Sequence, residues 1–163
     1  MRRHVQAWTD AAGASRWLAA VVHVEGRFFW TRTRVPEEIW VQFLPREDEQ
    51  IGGQELMAVP LLLATFKHLL HSALVTLAVD NMGVVGNLIK GRGSAEDHNC
   101  AIARVWLDVA ACGIALHVVK VDTACNLADG PTRDEFRLLS RLGAVWVDPQ
   151  WPAWAAYFWK MEM

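Results

Sequence analysis

The sequence predicts a single α/β domain built on a five-stranded mixed sheet that is flanked by helices. Three β-type segments follow one another at the start of the chain and are separated only by short turns, as in an antiparallel meander. Two later apolar runs alternate with stretches of helical periodicity, and a continuous apolar run is expected of a central strand covered on both faces. The 163 residues, of which 53% are hydrophobic, suffice for one core.

Five strands are identified from apolar and β-branched runs that end at turn residues. They cover residues 5–12, 17–24, 27–31, 74–79 and 114–121. Gly26 favours a hairpin between the second and third of these strands, and residues 13–15 supply the turn after the first. The first three strands are therefore predicted to pair antiparallel.

A long connection, residues 32–53, follows the third strand. It contains two prolines, an acidic run and a Gly-Gly pair, and one short element is predicted at residues 39–43. Connections of this length are usually functional or mobile. The segment is either a substrate-facing flap or a plain insertion.

Helices are predicted where apolar residues recur at helical spacing. In residues 54–70, Pro60 should kink the helix or mark a late start. Ser94 with Asp97 fits a capping pattern for a later helix. This later helix covers residues 95–112, and the other predicted helices cover residues 82–89 and 132–142.

The last twenty residues carry an unusual density of aromatic side chains. We therefore divide the chain into a domain of residues 1–143 and a tryptophan-rich tail of residues 144–163. So many aromatic rings are not expected to stay in solvent. The tail should dock on the core of its own domain or form an interface with a second protein.

Composition excludes several classes of protein. No apolar run approaches the roughly 20 residues of a membrane span, and the N-terminal segment lacks a signal-peptide core. The three cysteines show no CxxC spacing, which favours free thiols over a disulfide framework or a zinc site. The sequence therefore predicts an intracellular protein of the cytoplasm or nucleus, neither secreted nor bound to a membrane. The formal net charge of −2 does not by itself indicate nucleic-acid binding.

Four acidic residues lie where a strand or a helix changes direction. Asp10 ends an apolar strand, where a carboxylate is costly to bury without a cation. Glu55, Asp80 and Asp129 lie at comparable places downstream. Each could also be a turn residue, a helix cap or a first-turn helix acid. Together, four carboxylates from separate elements suffice to hold two Mg²⁺ ions, which prefer oxygen ligands.

Four short blocks around these acids resemble the ribonuclease H domain of retroelement reverse transcriptases. The blocks are Thr9-Asp10-Ala11-Ala12, Gln54-Glu55-Leu56-Met57-Ala58, Val79-Asp80-Asn81 and Asn126-Leu127-Ala128-Asp129-Gly130-Pro131-Thr132-Arg133. The resemblance spans roughly residues 5–133, most of the chain. It implies a ribonuclease H-like fold.

The resemblance also implies a set of roles. Asp10 would bridge two Mg²⁺ ions, which Mn²⁺ can replace, while Glu55 and Asp80 would complete the site nearer the leaving group. Asp129 would hold the ion that activates the attacking water. The same blocks suggest that Asn81 and Arg133 contact the nucleic acid.

The implied substrate is an RNA/DNA hybrid, whose RNA strand the family cuts by reading hybrid shape and 2′-hydroxyls. A reverse transcriptase domain, or another protein bound through the tail, is an expected partner. An alternative is a weak or inactive module of the same fold with a structural or interaction role. A related exonuclease or an integrase-like strand transferase is a third interpretation, which the last block disfavours.

Overall fold

A six-stranded mixed sheet lies at the centre of the computed structural model, which describes residues 1–160. Residues 161–163, the end of the predicted tail, lie outside the described residues. The strands are β1 (His4–Ala11), β2 (Trp17–Val24), β3 (Arg27–Arg34), β4 (Leu74–Val79), β5 (Ala115–Lys120) and β6 (Val145–Trp146). Their order across the sheet is β5-β4-β1-β2-β3-β6.

Strand direction divides the sheet into two parts. The antiparallel meander of β1, β2 and β3 is present as expected, and β4 and β5 extend it in parallel from β1. The prediction of five strands was wrong by one, because β6 pairs in parallel with Phe29 and Trp30 of β3. A strand of two exposed residues carries too little alternation to be recognised in a sequence.

Seven α-helices and three short 3₁₀ segments occur in residues 1–160. The helices are α1 (Glu37–Trp40), α2 (Ile51–Thr65), α3 (Lys67–Leu70), α4 (Met82–Lys90), α5 (Glu96–Ala111), α6 (Asp129–Thr132) and α7 (Arg137–Arg141). The 3₁₀ segments are Thr123–Cys125, Ala153–Ala156 and Phe158–Lys160. None of the helices in this part of the chain is long and apolar enough to cross a membrane.

Helix α2 is the central helix of the core and differs from its prediction at both ends. It packs on β1, β2 and α5, and most of its residues are buried. It begins at Ile51, so the Gly-Gly pair that suggested a loop lies inside the helix. A Cβ atom on Gly53 would lie 2.8 Å from the ring of Phe43, which explains the glycine. Pro60 neither begins nor ends α2, and burial of the helix on several sides offsets the lost hydrogen bond.

The predicted helix over residues 132–142 is instead two short helices, α6 and α7, joined by a corner. The amide of Glu135 donates a hydrogen bond to the Gly130 carbonyl at 3.0 Å, and Asp134 has a left-handed φ of 58°. A Cβ atom on Gly130 would lie 2.6 Å from the carbonyl oxygen of Glu135. The chain therefore turns where local periodicity suggested a continuous helix.

The described part of the tail lies against the main domain. Trp154 and Phe158 are buried in the hydrophobic core. The Phe158 ring packs next to the ring of Phe43. The Trp154 indole also donates a hydrogen bond to Asp108 of α5 at 2.8 Å. Trp146 and Tyr157 are among the exposed aromatic residues of this segment.

Candidate metal centre

Three of the four predicted acids meet at one edge of the sheet. Asp10 is the last residue but one of β1. Asp80 directly follows β4, the strand that pairs in parallel with β1. Trp8 is paired with Ala78, so two further residues along each strand bring the two acids to the same edge. Glu55 reaches this point from α2, and oxygen atoms of the three carboxylates lie within 4.8 Å of one another.

The position of Glu55 depends on its neighbour Gln54. Gln54 is fully buried, and its side-chain amide donates hydrogen bonds to the carbonyl oxygens of Gly13 at 2.9 Å and Glu49 at 2.8 Å. These bonds tie the first part of α2 to the turn that follows Asp10. No role was predicted for Gln54, although an amide among the apolar residues of this helix was a visible signal.

The fourth acid, Asp129, lines the same cleft from α6 but is not a member of the three-carboxylate cluster. Its Oδ1 lies 3.2 Å from Nε of Arg133, in an exposed ion pair. Thr132 connects Asp129 with the three-carboxylate cluster, because its hydroxyl lies 3.0 Å from Asp10 Oδ2 and 2.7 Å from the Asp129 carbonyl oxygen. The single hydroxyl hydrogen serves one of these acceptors at a time.

Asn126 holds the segment that carries Asp129 against β1. Its side-chain amide donates to the carbonyl oxygen of Thr9 at 3.0 Å, and its own oxygen accepts from the Ala128 amide at 3.0 Å. Asn126 is buried, so these bonds satisfy polar groups that water does not reach. Asn126 belongs to the last of the four sequence blocks, but no role was predicted for its side chain.

Asn81 and Arg133, the two residues expected to contact nucleic acid, occupy different environments. The Asn81 side chain caps α4 by accepting a hydrogen bond from the Val84 amide at 3.1 Å. Arg133 is exposed at the edge of the cleft and pairs with Asp129.

The acids lie in an open, mostly polar cleft of about 490 Å³. Its walls come from β1, the turn after it, the ends of β2 and β3, and the segment around α6. The residues that line it are Asp10, Ala11, Ala12, Ser15, Trp17, Arg34, Glu55, Asp80, Thr123, Asp129, Thr132, Arg133 and Asp134. A half-buried indole and two guanidinium groups therefore surround the carboxylates.

Burial makes the charged forms of the inner two carboxylates unfavourable. Burial, together with the nearby charge of Asp80, raises the pKa of Asp10 to about 7, although a hydrogen bond from Thr132 opposes the shift. Burial and the charges of Asp10 and Asp80 raise the pKa of Glu55 to about 9. Such shifts are expected when carboxylates are held together with no cation between them.

The cluster could hold a metal ion. One oxygen of Glu55, Oε2, is buried and has no hydrogen-bond partner, an arrangement that is costly unless a ligand completes it. Oxygen atoms from three carboxylates are ligands of the kind that hard divalent cations prefer. The donor set and the unpaired buried oxygen therefore both fit a cation.

We expect the melting temperature of the metal-free protein to fall as the pH rises from about 5 to about 9. In an unfolded chain these carboxyl groups lose their protons near pH 4, whereas folded Asp10 and Glu55 keep theirs up to about 7 and about 9. Over this range the folded state binds more protons, so its stability decreases with pH. Thermal unfolding in a chelating buffer across this range measures the effect.

The matched variants are Glu55→Gln and Glu38→Gln, the second at an exposed carboxylate of α1. Glu55→Gln should flatten the dependence on pH, because its amide does not titrate, and Glu38→Gln should leave the wild-type slope. A slope that is equal in all three proteins would argue against the raised pKa values.

A comparison of the chain with models of protein families gave no match, and a comparison with curated proteins gave none either.

Proposed function

We propose that this chain is a metal-dependent endonuclease of the ribonuclease H type that hydrolyses the RNA strand of RNA/DNA hybrids. The observation that carries the proposal is the convergence of Asp10, Glu55 and Asp80 within 4.8 Å in a cleft that Asp129 also lines. Nothing in the packing of the core requires three carboxylates to face one another, and without a cation their proximity is unfavourable.

The architecture also supports this function. The four sequence blocks that resemble the ribonuclease H domain of retroelement reverse transcriptases fall on β1, α2, the end of β4 and α6. Three antiparallel strands followed by two parallel strands form the sheet beneath them. Under this proposal the chain is a part or a descendant of a retroelement polyprotein that contains a reverse transcriptase.

The metal ions of the proposed reaction are two Mg²⁺ ions, which Mn²⁺ can replace. When bound, two divalent ions would supply an activated water and would stabilise the leaving oxygen of a phosphodiester. Asp10 would contact both ions, Glu55 and Asp80 would hold one, and Asp129 would hold the other. The protein must release the protons that burial keeps on Asp10 and Glu55 before these residues can act as ligands.

The walls of the cleft fit a nucleic-acid backbone. Arg34 and Arg133 bring positive charge to a site of otherwise acidic character, and phosphate oxygens are the groups they would contact. Trp17 is half-buried beside Arg34, whose guanidinium lies 5.0 Å from the centroid of the indole ring, so this contact helps to hold the positive charge of Arg34 in the cleft. Asn81 lies next to Asp80, where its backbone could contact the substrate while its side chain caps α4.

The expected result is cleavage of the RNA strand of a labelled hybrid in Mg²⁺ or Mn²⁺, with no cleavage in a chelating buffer. Because the family distinguishes hybrids by their shape and their 2′-hydroxyls, single-stranded RNA, single-stranded DNA and duplex DNA should remain intact under the same conditions. The measurement is the length and strand of the products on a denaturing gel. Cleavage of the DNA strand or stepwise shortening from an end would instead favour the integrase-like or exonuclease interpretation.

A second candidate is a module of this fold that binds a metal or a protein without cutting nucleic acid. The observation that favours it is that Asp129, the fourth acid, is paired with Arg133 and is not a member of the three-carboxylate cluster. A folded protein that gains thermal stability in Mn²⁺ but cuts none of the substrates would support this candidate. Exposed Trp146 and Tyr157 of the tail would then be the first residues to test for a partner, such as a reverse transcriptase domain.

A further inference from the structure

Arg32 joins the third strand to the corner between α6 and α7. Its Nη1 lies 2.6 Å from Oδ1 of Asp134 and 3.2 Å from the carbonyl oxygen of Pro131, to which it donates hydrogen bonds. The Arg32 side chain is 20% exposed, so the ion pair is partly shielded from solvent on the arginine side. One side chain of the sheet therefore contacts α6 at Pro131 and the corner after it at Asp134.

Two aromatic rings fix the plane of this guanidinium. Its Cζ lies 4.0 Å from the ring centroid of Trp17 and 4.6 Å from that of Phe136. A planar guanidinium stacks on aromatic rings while it donates hydrogen bonds in its own plane, which an ammonium group cannot do equally well. The arrangement is therefore specific for arginine.

Helix α6, which Arg32 contacts at the carbonyl oxygen of Pro131, carries two residues of the candidate metal centre. Thr132 and Asp129 both lie on α6, a helix of four residues, which is too short to keep its shape through its own hydrogen bonds. Asp134, two residues after α6, adopts a left-handed φ of 58°, a conformation that aspartate and asparagine tolerate better than most other residues and that turns the chain away from the helix. The geometry of α6 thus depends on contacts from outside it.

We propose that Arg32 is a positioning residue for the metal centre, which holds α6 so that Asp129 and Thr132 face Asp10. The inference rests on the proposed metal-dependent function, but it concerns the affinity of the site for a divalent cation. Arg32 contacts none of the three clustered carboxylates in the described part of the chain, and acts on the site through Pro131, Asp134 and Phe136.

The test is a titration of Mn²⁺ into the folded protein followed by isothermal titration calorimetry. We expect Arg32→Met to raise the Mn²⁺ concentration at half-saturation, the Mn²⁺ midpoint, by about tenfold, within the range known for residues that orient metal ligands. Loss of a positive charge would by itself favour cation binding, so a higher Mn²⁺ midpoint cannot arise from the change in charge. Arg32→Lys keeps the charge but not the stack, and Phe136→Leu removes one ring; both should give smaller increases.

The matched control is Arg27→Met, at the opposite, exposed end of β3, where the guanidinium stacks only loosely on Phe29 at 5.1 Å. It should leave the Mn²⁺ midpoint unchanged. An unchanged midpoint in Arg32→Met, even with a lower melting temperature in the absence of metal, would reduce Arg32 to a purely structural contact and overturn the proposal.

The outcomes for Arg32 and for the nuclease function are distinct. If the wild type responds to Mn²⁺ but cuts no hybrid, the nuclease function fails and the role of Arg32 is still decided by the midpoints. If the wild type shows no response to any divalent ion, the metal centre and the role of Arg32 fail together.

Discussion

Cleavage of the RNA/DNA hybrid should fall by at least about a thousandfold in Asp10→Asn, which corresponds to about 4 kcal/mol of transition-state stabilisation. Asp10 is one of the three clustered carboxylates and, in the proposed reaction, the one that holds both ions; an amide oxygen carries no charge with which to hold a divalent cation. Initial rates with labelled hybrid in Mg²⁺ and in Mn²⁺ measure the loss.

The same substitution should raise the melting temperature of the metal-free protein at about pH 8. Above its raised pKa of about 7, Asp10 is a buried negative charge close to Asp80, and the neutral amide removes that repulsion. The Thr132 hydroxyl keeps an oxygen acceptor. Loss of cleavage together with a gain in stability would separate a catalytic effect from misfolding.

Asp122→Asn is the matched control, since Asp122 is an exposed acid in the loop that leads to the cleft residue Thr123. It should retain cleavage close to that of the wild type. Full cleavage by Asp10→Asn would contradict the proposed nuclease centre, whatever its effect on stability.

The elements that could be predicted from the sequence are those whose burial follows a simple local pattern. The strands Trp17–Val24 and Leu74–Val79 have the bounds that their apolar runs suggested, and each lies between two neighbouring strands of the sheet. Helix α4 differs by a single residue, since Asn81 caps its start and Gly91 ends it in a left-handed conformation.

The elements that escaped prediction are set by contacts between distant parts of the chain. The glycines at the start of α2 looked like a loop, although Gly53 is there because the ring of Phe43 lies against it. The break between α6 and α7 follows from the close approach of Gly130 to Glu135 and from the ion pair between Asp134 and Arg32. No local propensity encodes these contacts.

A similar division applies to the candidate site. The convergence of Asp10 and Asp80 could be predicted, because acids at the ends of neighbouring parallel strands meet at one edge of the sheet. The residues that hold the site in shape could not. Gln54 bonds to Gly13, and Asn126 bonds to Thr9, across separations of 41 and 117 residues along the chain.

Asp97 shows how a sequence motif can mislead. With Ser94 it resembled a capping pattern, yet α5 has Ala95 at its N-cap and no side-chain cap. Asp97 is fully buried and instead accepts two hydrogen bonds of 2.6 Å from the Arg46 guanidinium and one of 3.0 Å from the Leu44 amide. The long connection before α2 is thereby anchored on α5.

Arg46→Met should destabilise the folded protein by about 3 kcal/mol, because it leaves the buried Asp97 carboxylate without its cation. Burial alone would raise the pKa of Asp97, but the hydrogen bonds from Arg46 and Leu44 outweigh it and lower the pKa to about 2. The contribution of the pair is therefore present above about pH 4 and is lost as the pH falls towards 2. Urea unfolding at neutral pH and at about pH 3 measures both the loss and its dependence on pH.

Arg16→Met provides the control, since Arg16 also forms an ion pair with an acid of another segment, Glu37, but this pair is exposed to solvent. Its cost should stay below about 1 kcal/mol. If the loss in Arg46→Met comes from the uncompensated charge, then adding Asp97→Asn should restore part of the stability, because the amide oxygen can still accept from Leu44. A double variant that is as unstable as Arg46→Met would instead assign the loss to the packing of the arginine side chain.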